Sequence, residues 1–345
     1  MHHTLRSAAR SSRLLAPILA GALLLGACSG SDTDFAAGAP SGEFEPTSID
    51  HALGTAEITA EPERIVTLGM GSAETVIALG EVPVGIEEYP WGSNETGYLP
   101  WIHEELTERS EDLPTQFTGG TEVNLEAIAA LEPDLILAPW SGITQDQYDV
   151  LSGIAPTVAY PELPWTITWQ EQIETIGTAM GKHDEALDLV SGIEQRFADT
   201  AADHPEYRDV TFSYIYNTGP ATLGVFLRDE QRVAMVRGLG LTVDPVVDTL
   251  EETEGTDSAV IGLENAHLLN GSDLLFTFYS DPANRQQIES QEVYQRIPAV
   301  ERGTLVAPED QPFVTGSSMI NPLTVPWAID RYIPLVDEAV AKLGS

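Results

Sequence analysis

The residues best suited to chemistry are three arginines set close together, Arg228, Arg232 and Arg237, after the strand-like run Thr222-Leu223-Gly224-Val225-Phe226-Leu227. Cations are scarce here: 16 Lys and Arg stand against 54 Asp and Glu, a formal charge of -38. Guanidinium groups match carboxylates and other oxyanions by paired hydrogen bonds, so an anion site is one reading of the cluster. Ion pairing to nearby acids, with Arg237 facing its helix neighbours, is the other, and spacing alone leaves both open. Aromatic side chains gather where loops should follow strands: Tyr89 and Trp91, Trp140, Trp165 and Trp169, Tyr216, and Tyr279. A single tryptophan in such a place is more often packing than recognition. Several at successive strand ends describe an aromatic-lined cleft, because open α/β sheets bind ligands outside the carboxyl ends of their strands. The candidate ligand contacts are therefore Trp91, Trp140, Tyr216, Arg228, Arg232 and Tyr279.

Enzyme signatures fail one by one. Gly69-Met70-Gly71-Ser72-Ala73-Glu74 opens like a dinucleotide fingerprint but has Glu74 where the third glycine belongs. No Gly-x-Ser-x-Gly elbow occurs. His103-Glu104-Glu105-Leu106-Thr107 lacks the second histidine of a zinc helix. Histidines 51, 103, 183, 204 and 267 have no ligand spacing, and one cysteine excludes a disulfide framework and a Cys-based zinc site. The expectation is no catalytic residue, no resident metal, no cofactor and no enzyme. The acidic surface repels phosphate backbones, which argues against nucleic acid.

The elements that must position these residues read as α/β. Ile65–Leu68 is a β-branched run, Ser72–Leu79 a helix closed by Gly80, and Val82–Ile86 a returning strand, which together argue for a parallel sheet. The unit recurs as a helix over Asn124–Leu131, with Asn124 as N-cap, and a strand over Leu135–Ala138. Thr144 and Gln147 have capping-box spacing, Val158–Tyr160 reads as a strand, and a helix follows from Thr168 to Met180. A long helical pattern from Asp184 to Asp203, with Leu187, Val190, Ile193 and Phe197 in register, joins this half to a second. That second half carries strands over Val210–Tyr216, Leu274–Phe278 and Thr304–Val306. It ends in a helical region, Leu323–Leu343, with Pro326 and Pro334 expected to interrupt it. An internal echo links the halves: Asn124-Leu125-Glu126 and Gly262-Leu263-Glu264 each open a helix that leads into a core strand. Acidic residues are favoured in a first helical turn by the macrodipole, so the echo alone does not establish a role.

The N-terminus reads as an address. Arg6, Arg10 and Arg13 precede the short apolar stretch Leu14–Leu25, and Leu25-Gly26-Ala27-Cys28 resembles a bacterial lipobox, in which Cys28 is lipidated and becomes the mature N-terminus. The boundaries are a leader at 1–27, a flexible tether at 28–47, an α/β lobe at 48–182, a linking helix at 183–204 and a second α/β lobe at 205–345.

His51-Ala52-Leu53-Gly54 through Ile58, then Pro62-Glu63-Arg64-Ile65-Val66-Thr67-Leu68 and Glu74, resemble the start of the iron–siderophore substrate-binding proteins of ABC importers. Asn124-Leu125-Glu126-Ala127-Ile128 with Glu132-Pro133-Asp134-Leu135-Ile136, and Ile297-Pro298-Ala299-Val300 with Gly303-Thr304-Leu305-Val306, are similar to further motifs of that family. The resemblance implies two Rossmann-like lobes joined by a single long rigid helix, with the ligand cleft between them. It implies a ferric siderophore as ligand and a permease dimer with its ATPase as partner. It further implies a monomer held by lipid alone at the outer face of the bacterial cytoplasmic membrane. On that resemblance Glu126 and Glu264 correspond to the glutamates that dock to the permease. The family also includes cobalamin and haem binders, so these stand as alternative ligands on the same scaffold; a surface-anchored hydrolase is the distant alternative.

Overall fold

The computed structural model describes residues 44–345 apart from Thr121, Thr218, Pro220, Glu254, Gly255 and Ser345. The leader, Cys28 and most of the tether lie outside the described residues. At the start of the described residues the Phe44 ring lies beside Gly181, where a Cβ would come within 2.8 Å of it. A hairpin of β1 (Thr47–His51) and β2 (Gly54–Ile58) follows, an element the sequence reading did not anticipate. Its turn is tied to the first lobe by the Ala52 amide, which donates to the Tyr160 carbonyl at 3.0 Å.

The first sheet contains β3 (Ile65–Thr67), β4 (Gly85–Glu87), β5 (Thr115–Phe117), β6 (Leu135–Leu137) and β7 (Thr157–Val158). All pair in parallel, in the order β5-β4-β3-β6-β7. The central strands β3 and β6 are buried at every residue, as expected of parallel strands covered on both faces. The order reverses at β3, so the loops after β3 and β6 flank the switch point where such sheets bind ligands. The predicted caps are present: Asn124 accepts from the Ala127 amide, and Thr144 and Gln147 form a capping box; Thr168, expected inside its helix, instead caps the helix Trp169–Ala179.

The second half contributes β8 (Thr211–Tyr216), β9 (Gly224–Phe226), β10 (Thr242–Val243), β11 (Ser258–Val260), β12 (Leu274–Phe276) and β13 (Leu305–Val306). β10, β8, β12 and β13 are parallel, while β9 pairs antiparallel with β8 and β11 antiparallel with β9, so this sheet is mixed. The segment after Gly262 is a 3-10 helix, Leu263–Gly271.

The linking helix is His183–Asp203, about 30 Å long. Its buried face is Ala186, Leu189, Val190, Ile193 and Thr200, whereas Leu187 is 39% exposed. It packs on the helix Trp169–Ala179 so closely that a Cβ on Gly177 would come within 2.3 Å of Ala186. One contiguous core runs from Ile65 and Leu135 through Leu189 and Ile193 to Phe212 and Val336, so the helix packs one face into it while the other faces outward. It is not the sole link between the halves. Trp101, in the helix Pro100–Glu108, stacks edge-on against Trp327 of the C-terminal helix Thr324–Ala341 at 5.2 Å. That last helix runs through both prolines: Pro326 falls in the first turn, where no amide hydrogen is needed, and buried Tyr332, Val336 and Ala339 hold the turns around Pro334.

Candidate ligand-binding cleft

A cleft of about 1240 Å³ opens between the two halves. Its first wall is built by loops after successive parallel strands: Met70 after β3, Glu88–Gly92 after β4, Trp140 after β6 and 163–170 after β7. The second wall takes Phe226 from the end of β9, Glu230, Arg232 and Arg237 from the helix that follows, Asp257 from before β11 and Phe278 from after β12. Val314, Thr315, Ser318 and Met319 close it at the back.

The loops are set by buried chemistry. Gly69 has φ +79, and a Cβ there would come within 1.8 Å of the Trp140 carbonyl oxygen. Only glycine lets the two strand-end loops meet at that distance. The Gly69 amide donates to Glu87 Oε2 at 2.8 Å, and burial pushes the Glu87 carboxyl above its ordinary range. Gln172 Nε2 donates to the Met70 carbonyl at 2.8 Å, fixing the β3 loop to the helix below. Trp165 lies over Gly142, where a Cβ would meet its ring at 2.1 Å, and is itself 47% exposed.

Three of the six expected contacts meet in this cleft. Trp91, 42% exposed, and half-buried Trp140 line the first wall, and Arg232 lines the second. The Arg232 guanidinium sits 4.8 Å from the Phe226 ring centre and 5.7 Å from that of Phe278. Such cation–π contacts are worth about 1–2 kcal/mol when shielded. Its Nη1 pairs with Glu230, whose carboxyl burial pushes upward while Arg232 opposes the shift. Arg232 Nε is buried with no hydrogen-bond partner.

The other three lie outside the lining. Arg228 is turned to Asp248, with Nε to Oδ1 at 2.7 Å and Nη2 to Oδ2 at 2.6 Å. Its carboxylate lies twenty residues further on, which chain spacing could not show. Tyr216 stands behind Phe226 at 4.8 Å, its hydroxyl on Ser258 Oγ. Tyr279 is buried, with its hydroxyl on Tyr294 and Glu289 and Arg285 over its ring. Residues not selected from sequence also line the cleft, among them Leu163, Trp165, Trp169, Phe278 and Met319. The available signal for that stretch was Trp165 and Trp169 themselves, which follow a strand as the selected tryptophans do; Leu163 beside them is 61% exposed.

Glu126 and Glu264 are both exposed, each in the first turn of its helical segment and away from the cleft. Each segment leads to an interior strand, β6 in the first sheet and β12 in the second. His204, Glu206 and Asp337 bring ligand-capable atoms within 4.8 Å of one another at the end of the linking helix. Asp337 Oδ1 there also accepts from the Tyr207 hydroxyl at 2.6 Å.

Comparison with known proteins agrees with this architecture. The family model for periplasmic binding proteins matches residues 65–311. A probable siderophore-binding lipoprotein of Bacillus subtilis (strain 168) is 30% identical over 190 residues, 54% of each chain, so this chain spans about half the length of that relative. The Fe(3+) dicitrate-binding periplasmic protein of Escherichia coli (strain K12) is 25% identical over 259 residues, 74% of this chain and 79% of that one. Among solved structures, PiaA of Streptococcus pneumoniae TIGR4 in complex with ferrichrome superposes with a TM-score of 0.76 at 28% identity, covering 86% of this chain and 99% of that one.

Proposed function

The chain belongs to the periplasmic binding protein family, and on that premise we propose that it is the extracytoplasmic solute-binding component of an ABC importer. It captures a ferric siderophore between its two halves and delivers it to a membrane permease dimer driven by an ATPase. The family is one of solute-binding proteins rather than enzymes, which sets aside the surface-anchored hydrolase.

The observation that carries the reading is the cleft. Its volume of about 1240 Å³ suits a bulky chelate, and both walls carry aromatic rings, with charged side chains gathered on the second wall. A siderophore saturates the coordination of its own iron. The protein then has to supply shape and flat contact, which Trp91, Trp140, Trp165 and Phe226 offer, with Arg232 held over the Phe226 ring. The linking helix, packed by one face into the shared core, and the Trp101–Trp327 contact support capture with little closure. Cys28 would carry the lipid that holds the monomer at the outer face of the cytoplasmic membrane. Glu126 and Glu264, one exposed on each half, would dock to arginines of the permease.

Tryptophan fluorescence tests the ligand. The purified protein is titrated with ferric siderophores of each class, their iron-free forms, haem and cobalamin. Submicromolar quenching by a ferric chelate, weaker for its iron-free form, is expected. Silence for every ferric chelate with binding of haem or cobalamin would move the ligand to those tetrapyrroles on the same scaffold. For docking, Glu126→Lys with Glu264→Lys should abolish uptake in cells and leave affinity intact; surviving uptake overturns that assignment.

A further inference from the structure

We infer, resting on the reading of a ferric chelate as ligand, that the cleft selects a complex without net negative charge, a neutral or cationic trihydroxamate, over an anionic catecholate or citrate complex. The lining holds the carboxylates of Glu88, Asp229, Glu230, Glu252 and Asp257 and the guanidinium groups of Arg232 and Arg237. Both arginines are already engaged, Arg232 with Glu230 and Arg237 with Asp229 at 3.4 Å. Among the described residues Glu88, Glu252 and Asp257 face no cation; Glu88 accepts only from the Thr118 hydroxyl, at 2.8 Å.

The surplus is concentrated on the second wall. Glu252 Oε1 accepts from the Asp257 amide at 3.4 Å. Asp257 has its carboxyl held above the usual range, first by burial and then by the charges of Glu252 and Asp229. A group that already resists ionising beside its neighbours is a poor host for a further anion. Glu252, Asp257 and Asp229 are exposed at the mouth of the cleft, so this repulsion acts through water and is open to screening by salt, and the chain charge of -38 adds a long-range field of the same sign.

Chelate chemistry sorts cleanly by this field. Each hydroxamate brings one negative charge, so three of them neutralise a ferric ion. Each catecholate brings two, so three of them leave a trianion. A neutral chelate keeps the stacking and loses nothing to repulsion. A linear trihydroxamate with a free ammonium arm gains a partner in Glu252 and Asp257.

The test measures affinity by tryptophan quenching for ferrichrome, for a ferric trihydroxamate with an ammonium arm, for a ferric tricatecholate and for ferric citrate. Each is titrated at low salt and at about 0.5 M salt, where screening is short-ranged. The expected result is hydroxamate affinity at least about tenfold above that of either anionic complex, with the gap narrowed by salt. Glu252→Gln with Asp257→Asn should narrow it further, by raising affinity for the anions and lowering it for the ammonium-bearing chelate. Asn suits position 257, where φ is +46, so the double variant should fold. An anionic chelate binding tightest, or a gap that the double variant does not move, overturns the inference. Binding of no ferric chelate at all overturns the functional reading, and this inference with it.

Discussion

Gly69 lies where two halves of one wall are forced together. Its φ of +79 and the Trp140 carbonyl at 1.8 Å from any Cβ leave no room for relaxation by a side chain, because the obstacle is backbone. Gly69→Ala must therefore displace the β6 loop. It should cost roughly 1–3 kcal/mol in stability and move Trp140, weakening ligand quenching more than a distant variant of equal stability does. Urea denaturation with parallel titrations checks this; unchanged affinity would show that Trp140 does not touch the ligand. At this scale the sequence was legible in part. Trp91 and Trp140 follow parallel strands, and chain order alone puts them at a switch point. The arginines were not separable, because what removes Arg228 is a bidentate contact to Asp248, and nothing in its local sequence marks that acid among so many.

Among the elements, those stated by local chemistry were readable: Asn124 and Thr144 with Gln147 cap helices as their types demand. Strand extents were not. Val82–Ile86 is apolar, yet only Gly85–Glu87 forms strand, since Pro83 has no amide hydrogen for a ladder. The helix Ser72–Ala78 shows a further device. Glu74, fully buried, accepts from the Gly71 amide at 3.0 Å and from Trp101 Nε1 at 2.9 Å, joining a helix start to the contact between the halves. Burial raises its pKa above the ordinary 4.5. Between 4.5 and the folded value, the folded chain keeps a proton that the unfolded chain has released. Stability from this group is therefore full below 4.5 and falls as pH rises through that window. Glu74→Gln should cost about 1 kcal/mol at acid pH, where its amide faces the Gly71 donor. It should also flatten the decline as pH rises above the ordinary carboxylate range. Denaturation series of both proteins over that rise give the slopes; parallel slopes would mean Glu74 ionises freely in the fold.

For the whole molecule the question is whether the two halves move. A single helix between lobes permits bending at its ends, but here the helix is part of one continuous core. Trp327 adds a second fastening: Trp101 stacks on it from the first half, Phe313 lies at 6.3 Å, and the Arg331 guanidinium covers it at 3.8 Å. Gly316 fits beneath both indoles because a Cβ would reach Trp101 at 2.7 Å and Trp327 at 2.9 Å. A cleft fastened in this way would be preformed, and binding would spend little on ordering the protein. Trp327→Ala removes the fastening and should cost about 3 kcal/mol, while Trp327→Phe keeps an apolar ring and should cost less. If the contact sets the separation of the halves, X-ray scattering of the native protein will show the same radius of gyration with and without ligand. The alanine variant will then contract on binding and bind more weakly. A variant that is merely less stable, with no ligand-dependent contraction, would reduce Trp327 to packing and leave the rigidity to the linking helix alone.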